Sequence, residues 1–159
     1  HTFSDDATIW NDTAPTAQLA TIGTYGMQNT EKRVGYFFAE IDGYSKFGDY
    51  VGNGGSDGPF VHTGFKPSFL LLKSQNSANW YIHDNKMFPN NPNSAEFHPN
   101  TTNAQTTLSS GRGVDFLSNG FKLRQEAGYG SNYNGVQAVY LAFAEHPFIG
   151  NGTNPATAR

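Results

Sequence analysis

Side chains that can bind metals occur in this chain, but their spacing does not match the common metal sites. The histidines that lie inside the chain are His62, His83, His98 and His146, and Asp84 or Glu96 could complete a set of ligands with them. No pair of them has the His-x-x-x-His spacing of a helical site, and the chain has no cysteine to supply thiolates. We therefore predict no metal and no other cofactor, and we interpret these residues as ordinary strand and loop histidines.

Carboxylates near turns raise the alternative of a calcium site, because calcium prefers oxygen-rich loops. The aspartates in question are Asp5, Asp6, Asp42, Asp49 and Asp57. No Asp-x-Asp-x-Asp-Gly loop is present, so solvated turn aspartates are the simpler interpretation.

Catalytic motifs are missing from the sequence. We find no Gly-x-Ser-x-Gly elbow, no phosphate-binding loop and no His-Glu-x-x-His. A polysaccharide hydrolase would need a pair of carboxylates, for which the glutamates are Glu40, Glu96, Glu126 and Glu145. Glu40 and Glu145 end similar segments, which favours a shared structural role, such as holding backbone N–H groups. The chain is thus predicted not to be an enzyme, and hydrolysis stays as an alternative.

Aromatic side chains beside Asn-rich and Gly-rich loops are a stronger indication of binding. They are Trp80, Tyr81, Tyr129 and Tyr133. Sugars stack on such rings while neighbouring amides and carboxylates hold the hydroxyls. These residues are our predicted glycan-binding site. The alternative is that Trp80 and Tyr81 only pack within a sheet.

Composition restricts the class of protein and its partners. Charged residues make up 14% of the 159 residues, the net charge is −3, and the chain contains 13 Phe and 8 Tyr. With no cluster of basic residues, nucleic-acid binding is not expected. No apolar run is long enough for a membrane-spanning helix, and no signal-peptide pattern is visible at the first residues. The absence of cysteine excludes disulfides and is compatible with assembly in a bacterial cytoplasm.

Two segments share a pattern that indicates an internal repeat. Tyr36-Phe37-Phe38-Ala39-Glu40 matches Leu141-Ala142-Phe143-Ala144-Glu145, and the register extends upstream to Gly23 with Gly128 and Val34 with Val139. We interpret residues 1–41 as the second half of a preceding β-sandwich repeat that packs on the next unit. Residues 42–149 would be a complete unit and residues 150–159 an extended tail. Chance similarity in a Phe-rich chain is the alternative.

Short apolar runs separated by turn formers predict many strands. The runs are Ala7–Trp10, Gln18–Gly23, Val34–Ile41, Lys46–Val51, Phe60–Gly64, Ser68–Ser74, Trp80–Asp84, Val114–Leu117, Phe121–Arg124 and Val136–Glu145. Aromatic residues with Asn-Gly turns at this spacing favour an all-β, antiparallel β-sandwich of jelly-roll-like type. The polar residues 93–107 are expected to form a long loop with room for one helical turn. The small side chains in Val136–Glu145 predict a strand that lies close to a second sheet or another subunit.

The segment Asp115–Arg124 is predicted to form a β-hairpin. With Asn119-Gly120 as a type I′ turn, Phe116 would lie opposite Leu123, and Asp115 would lie opposite Arg124 as a charge pair. This register places Phe116, Phe121 and Leu123 on one face, as expected of a strand pair that covers a core.

Several motifs in order resemble a domain of bacterial-virus tail and fibre proteins, especially marine ones. They include Gly43-Tyr44-Ser45-Lys46-Phe47-Gly48, Gly58-Pro59-Phe60-Val61, Thr63-Gly64-Phe65-Lys66-Pro67, Asn79-Trp80-Tyr81-Ile82, Asp115-Phe116-Leu117-Ser118-Asn119-Gly120 and Ala142-Phe143-Ala144-Glu145. The resemblance covers residues 35–149 and is loose over residues 1–34. It implies a virion structural protein with tandem β-sandwich units and without catalytic residues. Because the low charge and the small-residue strand faces suit close subunit packing, we expect a homo-oligomer that also contacts other virion proteins. Attachment to a host surface glycan would follow from the same role.

Overall fold

The computed structural model describes residues 36–76, 79–109, 111–124 and 130–147, together with Thr13, Thr16, Gln18, Leu19, Thr21 and Gly23. The chain divides into two compact units, Thr2–Phe38 and Ala39–Arg159, the second of which also takes His1. The division into a half repeat, a complete unit and a tail stays a prediction, and residues 150–159 lie outside the described part.

The described residues form nine β-strands and no helix. They are β1 (Ser45–Val51), β2 (Phe60–His62), β3 (Pro67–Ser74), β4 (Trp80–Asp84), β5 (Ala95–Glu96), β6 (Thr106–Thr107), β7 (Val114–Leu117), β8 (Gly120–Leu123) and β9 (Gln137–Ala144). The prediction of an all-β, antiparallel fold is confirmed. The bounds of β4 and β7 agree with the predicted ones, because turn formers flank both runs.

Two antiparallel sheets pack face to face as a β-sandwich. The larger sheet has the strand order β1-β9-β3-β4 and the smaller one β2-β8-β7, while β5 and β6 form a separate ribbon. Phe121 of the smaller sheet makes edge contacts with Tyr50 and Tyr140 of the larger one, with ring centroids 6.2 and 5.4 Å apart. The last strand inserts between the first and the third, and the penultimate strand pairs with the second, which is the jelly-roll-like part of the topology.

The larger sheet carries apolar side chains on both of its faces. Leu70, Leu72, Ala138 and Ala142 face the core and are completely buried. On the opposite face Phe143 lies 5.9–6.0 Å from the rings of Phe47, Tyr44 and Phe69. The small side chains of β9 therefore lie close to a second sheet, as the sequence predicts.

The segment Asn93–Phe97, which we call the strap, seals one side of the sandwich. Asn93 exchanges two backbone hydrogen bonds with Val114 at the edge of β7, of 2.7 and 3.1 Å. Phe97 exchanges two with Ile82 at the edge of β4, of 2.8 and 3.0 Å. The expected long loop over residues 93–107 is therefore wrong in detail, since this region contains the strap and the short strands β5 and β6. It does contain one hydrogen-bonded turn, in which the N–H of Thr101 donates to the carbonyl oxygen of His98 at 3.0 Å.

The β7–β8 hairpin forms, but its register differs from the predicted one. Phe116 pairs with Phe121 and Leu117 with Gly120, so the loop is Ser118-Asn119. The pairing moves by two residues in total, which keeps every side chain on its predicted face. Arg124 Nε still donates to Asp115 Oδ2 at 2.6 Å, now along the diagonal.

Gly120 explains the shift of the hairpin. It pairs with His62 of β2, and a Cβ atom at this position would lie 2.1 Å from the carbonyl oxygen of Val61. The glycine is therefore required for the close approach of β2 and not for a turn conformation, which the Asn-Gly signal alone could not distinguish.

The predicted strand Val34–Ile41 is wrong over its described residues. Residues 36–40 are irregular, and only Ile41 forms an isolated bridge, with Ser45. The N–H of Phe47, which a ladder with such a strand would use, donates instead to Glu40 Oε1 at 3.1 Å. Gln18, Leu19, Thr21 and Gly23 are likewise not in a strand, and Ala7–Trp10 lies outside the described residues.

The predicted role of the two equivalent glutamates is met by Glu40, which holds a backbone N–H group. Glu145 instead forms ion pairs with Lys66 and Lys86, at 2.7 and 3.1 Å.

Candidate functional site

The strand alternation of β4 separates two of the predicted glycan-binding residues. Tyr81 points into the core and is buried, whereas Trp80 lies on the opposite face of the sheet and is partly exposed. Tyr133 is partly exposed in the loop before β9, and Tyr129 lies outside the described residues. Because side chains alternate between faces along a strand, Trp80 and Tyr81 cannot stack on the same sugar.

A buried polar cluster forms where β4 faces the strap. Its members are Tyr81, His83, Asn93, Glu96 and His98, and we call it the Glu96 cluster. His83 is completely buried. The Asn93 amide donates to the carbonyl oxygens of Asp84 and Phe88, at 2.9 and 2.6 Å, so its own Oδ1 faces His83 Nδ1 at 3.4 Å. That arrangement places the proton of the neutral imidazole on Nδ1 and leaves a lone pair on Nε2.

Glu96 lies between the two imidazoles of the cluster. His98 Nε2 donates to Glu96 Oε1 at 3.0 Å, and the second carboxylate oxygen is 4.0 Å from His83 Nε2. Within the described residues, His83 Nε2 is buried without a hydrogen-bond partner. The edge of Tyr81 packs on His98, with ring centroids 5.1 Å apart.

Burial controls the protonation of the cluster. Desolvation lowers the pKa of His83 to about 4, and the hydrogen bond to Asn93 opposes this only in part. Desolvation, with a contribution from the Glu96 carboxylate, raises the pKa of Tyr81 to about 12. Both side chains are therefore uncharged at neutral pH, as expected for groups built into a core.

The Glu96–His98 pair resembles the carboxylate and imidazole of a general base, but the described partner of His98 is not a nucleophile. His98 Nδ1 faces the Asn79 amide at 3.5 Å, and an amide is no nucleophile. Asn79 in turn accepts from Asn100, whose Oδ1 receives the N–H of Trp80 at 2.9 Å. The arrangement thus links the strap to the start of β4 through neighbouring polar side chains, which is a structural role.

The other carboxylates that the sequence offered for hydrolysis are held by cations. Hydrogen bonding to Lys46 lowers the pKa of Glu40, and hydrogen bonding to Lys66 lowers that of Glu145. A glycosidase acid needs a raised pKa, so both shifts have the wrong sign for a proton donor. Glu126 lies outside the described residues.

The candidate metal ligands do not form a metal centre in the part of the chain that the structure describes. No group of three or more His, Asp or Glu side chains there is placed to hold an ion. His62 and His146 are exposed, while His83 and His98 belong to the Glu96 cluster. Asp57 contacts Lys122 and Arg124 and not other carboxylates, and Asp5 and Asp6 are outside the described residues.

Sequence reasoning named His83, Glu96 and His98 but missed how they meet. The missing element was the strap, which lay in a region interpreted as a loop. Ala95-Glu96-Phe97-His98 offers only a brief polar alternation, too short for a strand prediction. No motif or pattern in the sequence indicated that Asn93, which orients His83, belongs to this cluster.

Comparisons with known proteins locate the chain in one family. Across the described residues we find no helix that is long and apolar enough to cross a membrane. No curated protein and no solved structure matches the chain. A family model described as a domain of unknown function, DUF7483, matches residues 1–147, and the chain therefore belongs to that family.

Proposed function

We propose that this chain is a non-enzymatic structural module of a bacterial-virus appendage of the tail-fibre or head-fibre type. It would assemble in the host cytoplasm as a homo-oligomer that also contacts other virion proteins. As part of the finished particle, it would act outside the cell. The motif resemblance over residues 35–149 supports the biological setting. The β-sandwich, in which Glu40 and Glu145 pair with lysines and Glu96 pairs with His98, supports a role without catalysis.

The observation that carries the proposal is the difference between the two sides of the sandwich. The strap hydrogen-bonds the edges of β4 and β7 on one side. On the other side, which we call the open side, no described strand pairs with the outer edges of β1 and β2. Ile41, Tyr44, Val51 and Phe60 lie along these edges and are 41–57% exposed. Exposed apolar side chains beside strand edges that no described strand covers offer surface for contact with another chain.

Light scattering and sedimentation at micromolar concentrations test the proposal. We expect a discrete oligomer that dissociates on dilution, because the open side offers apolar surface to another copy. The variant Phe60→Ser should weaken association, whereas Met87→Ser, at an exposed residue in the loop after β4, should not. A strict monomer at all concentrations would contradict the proposal.

A glycan-binding module that attaches the particle to its host is the second candidate. Trp80 is partly exposed, and its backbone N–H donates a hydrogen bond to Asn100 Oδ1. The amide of Asn100 in turn donates to Asn79 Oδ1. An aromatic ring beside exposed amides suits a sugar. We expect Trp80→Ala to reduce binding on a glycan array at least tenfold. Binding by Tyr133→Ala on the same array measures the contribution of the loop before β9. This candidate would be removed if the wild-type protein bound no glycan, or if Trp80→Ala bound glycans as well as the wild type does.

A further inference from the structure

The outer edge of β1 presents backbone groups that suit another strand. Hydrogen bonds from Gly52 N to Val136 O and from Ala144 N to Tyr44 O show that β1 bonds to β9 through its even-numbered residues. In an antiparallel ladder the intervening residues point the other way. The N–H and C=O groups of Asp49 and Val51 therefore face the open side, where no described strand pairs with them.

The start of the same edge is protected. Glu40 Oε1 accepts the N–H of Phe47, and Glu40 Oε2 lies 2.9 Å from Lys46 Nζ. Charged side chains that occupy an edge are a common defence against unwanted strand pairing. The accepting part of the edge is therefore the end that contains Asp49 and Val51.

A strand of matching type exists in the chain and is not used as one. In the run Tyr36-Phe37-Phe38-Ala39-Glu40, Tyr36 is 80% exposed and Phe37 64%, and none of these residues belongs to a strand. The run matches Leu141–Glu145 at the end of β9, the strand that β1 already accepts on its inner edge. Within one copy, the Ala39 carbonyl accepts the Ser45 hydroxyl at 2.8 Å, and Glu40 Oε1 accepts the backbone N–H of Phe47 at 3.1 Å.

We propose that the run Tyr36–Ala39 of one copy adds as an antiparallel strand to the outer edge of β1 in a second copy. This inference rests on the proposed oligomeric function and specifies its contact. The contact uses different surfaces on the two copies, so it is head-to-tail and forms rings or filaments. An antiparallel strand also carries Glu31-Lys32-Arg33, a segment with one excess positive charge that precedes the run, toward the end of β1 that exposes Asp49, which gives charge complementarity.

Proline at residue 51 tests the accepting edge. Val51→Pro removes an N–H group that points away from β9, and edge strands tolerate proline at such positions. We expect loss of the oligomer with an unchanged far-ultraviolet circular dichroism spectrum. Val51→Ala, which keeps the N–H group, should still associate. An oligomer that forms equally well with Val51→Pro would overturn the inference.

Disulfide trapping identifies the two partners, because the chain has no cysteine of its own. Tyr36→Cys and Val51→Cys are prepared as separate proteins, mixed and oxidised with diamide. We expect the mixed disulfide dimer to exceed that formed by Tyr36→Cys with Met87→Cys at least tenfold, since a disulfide needs Cα atoms within about 7 Å. The double variant Tyr36→Cys/Val51→Cys should give crosslinked oligomers.

The outcomes separate this inference from the proposed function. Monomeric wild-type protein would remove both. An oligomer that resists Val51→Pro and gives no enrichment of the mixed disulfide would leave the structural function standing and reject strand addition. A crosslink that forms within single copies of the double variant would show that the run pairs with its own β1, and would also reject the inference.

Discussion

Replacing Phe121 with alanine should lower the free energy of unfolding by about 3–5 kcal/mol, the range for removing a large buried ring from a core. Phe121 is completely buried in β8. Its ring contacts Tyr50 of β1 and Tyr140 of β9, so it joins the two sheets. Alanine would leave a cavity between the sheets, because the backbone of β8 is held on both sides by β2 and β7. Urea titration at one dilute protein concentration measures the change.

Met87→Ala is the control for this substitution. Met87 is 47% exposed in the loop after β4, so its truncation should change the free energy of unfolding by less than about 0.5 kcal/mol. Equal effects of the two substitutions would contradict the arrangement of the core. A normal denaturant midpoint for Phe121→Ala would mean that the sheets do not pack through this ring.

Acid should destabilise the protein through His83. Its pKa is lowered from 6.5 to about 4 in the folded chain, because burial disfavours the charged imidazole. Between these two values the unfolded chain binds a proton that the folded chain does not. The contribution of His83 is therefore complete above pH 6.5 and declines as the pH falls toward 4, by about 3 kcal/mol in total. Urea midpoints measured between pH 7.5 and 5 should decrease, starting below pH 6.5.

The variant His83→Gln should flatten this part of the pH profile, whatever its own stability. His62→Gln, which replaces an exposed histidine, is the control variant for the same measurement. Carboxylates titrate mainly below pH 5, so the upper half of the window reports on His83. Stability that increases on acidification would show that Glu96, 4.0 Å from Nε2, draws a proton onto His83 more strongly than burial opposes it.

Much of the fold could be predicted from local patterns. Phe69-Leu70-Leu71-Leu72 predicts a strand covered on both faces, and β3 has apolar neighbours on both. Trp80–Asp84 and Val114–Leu117 are correct to the residue, since turn formers bound them. The faces of the β7–β8 hairpin are also correct, because side-chain alternation depends only on the parity of the pairing.

The candidate site could be predicted only as separate residues. His83, Glu96 and His98 were recognisable as polar groups with chemical potential. These residues meet only because the strap forms backbone hydrogen bonds with β4 and β7. No periodic pattern in the sequence indicates these long-range hydrogen bonds. Trp80 and Tyr81 lie on opposite faces because side chains alternate along β4. Their residue types alone do not show this.

The sequence by itself determined the class of fold, the positions of the longer strands and the apolar faces, because these depend on short-range spacing and side-chain type. Only the tertiary structure decided which edges are covered. The strap closes one side, Gly120 admits β2 so closely that the hairpin register shifts, and Glu40 takes the N–H of Phe47 where the preceding run would have paired. At a strand edge, groups that are distant in the sequence compete for the same backbone donors and acceptors, and the local sequence does not predict which group binds.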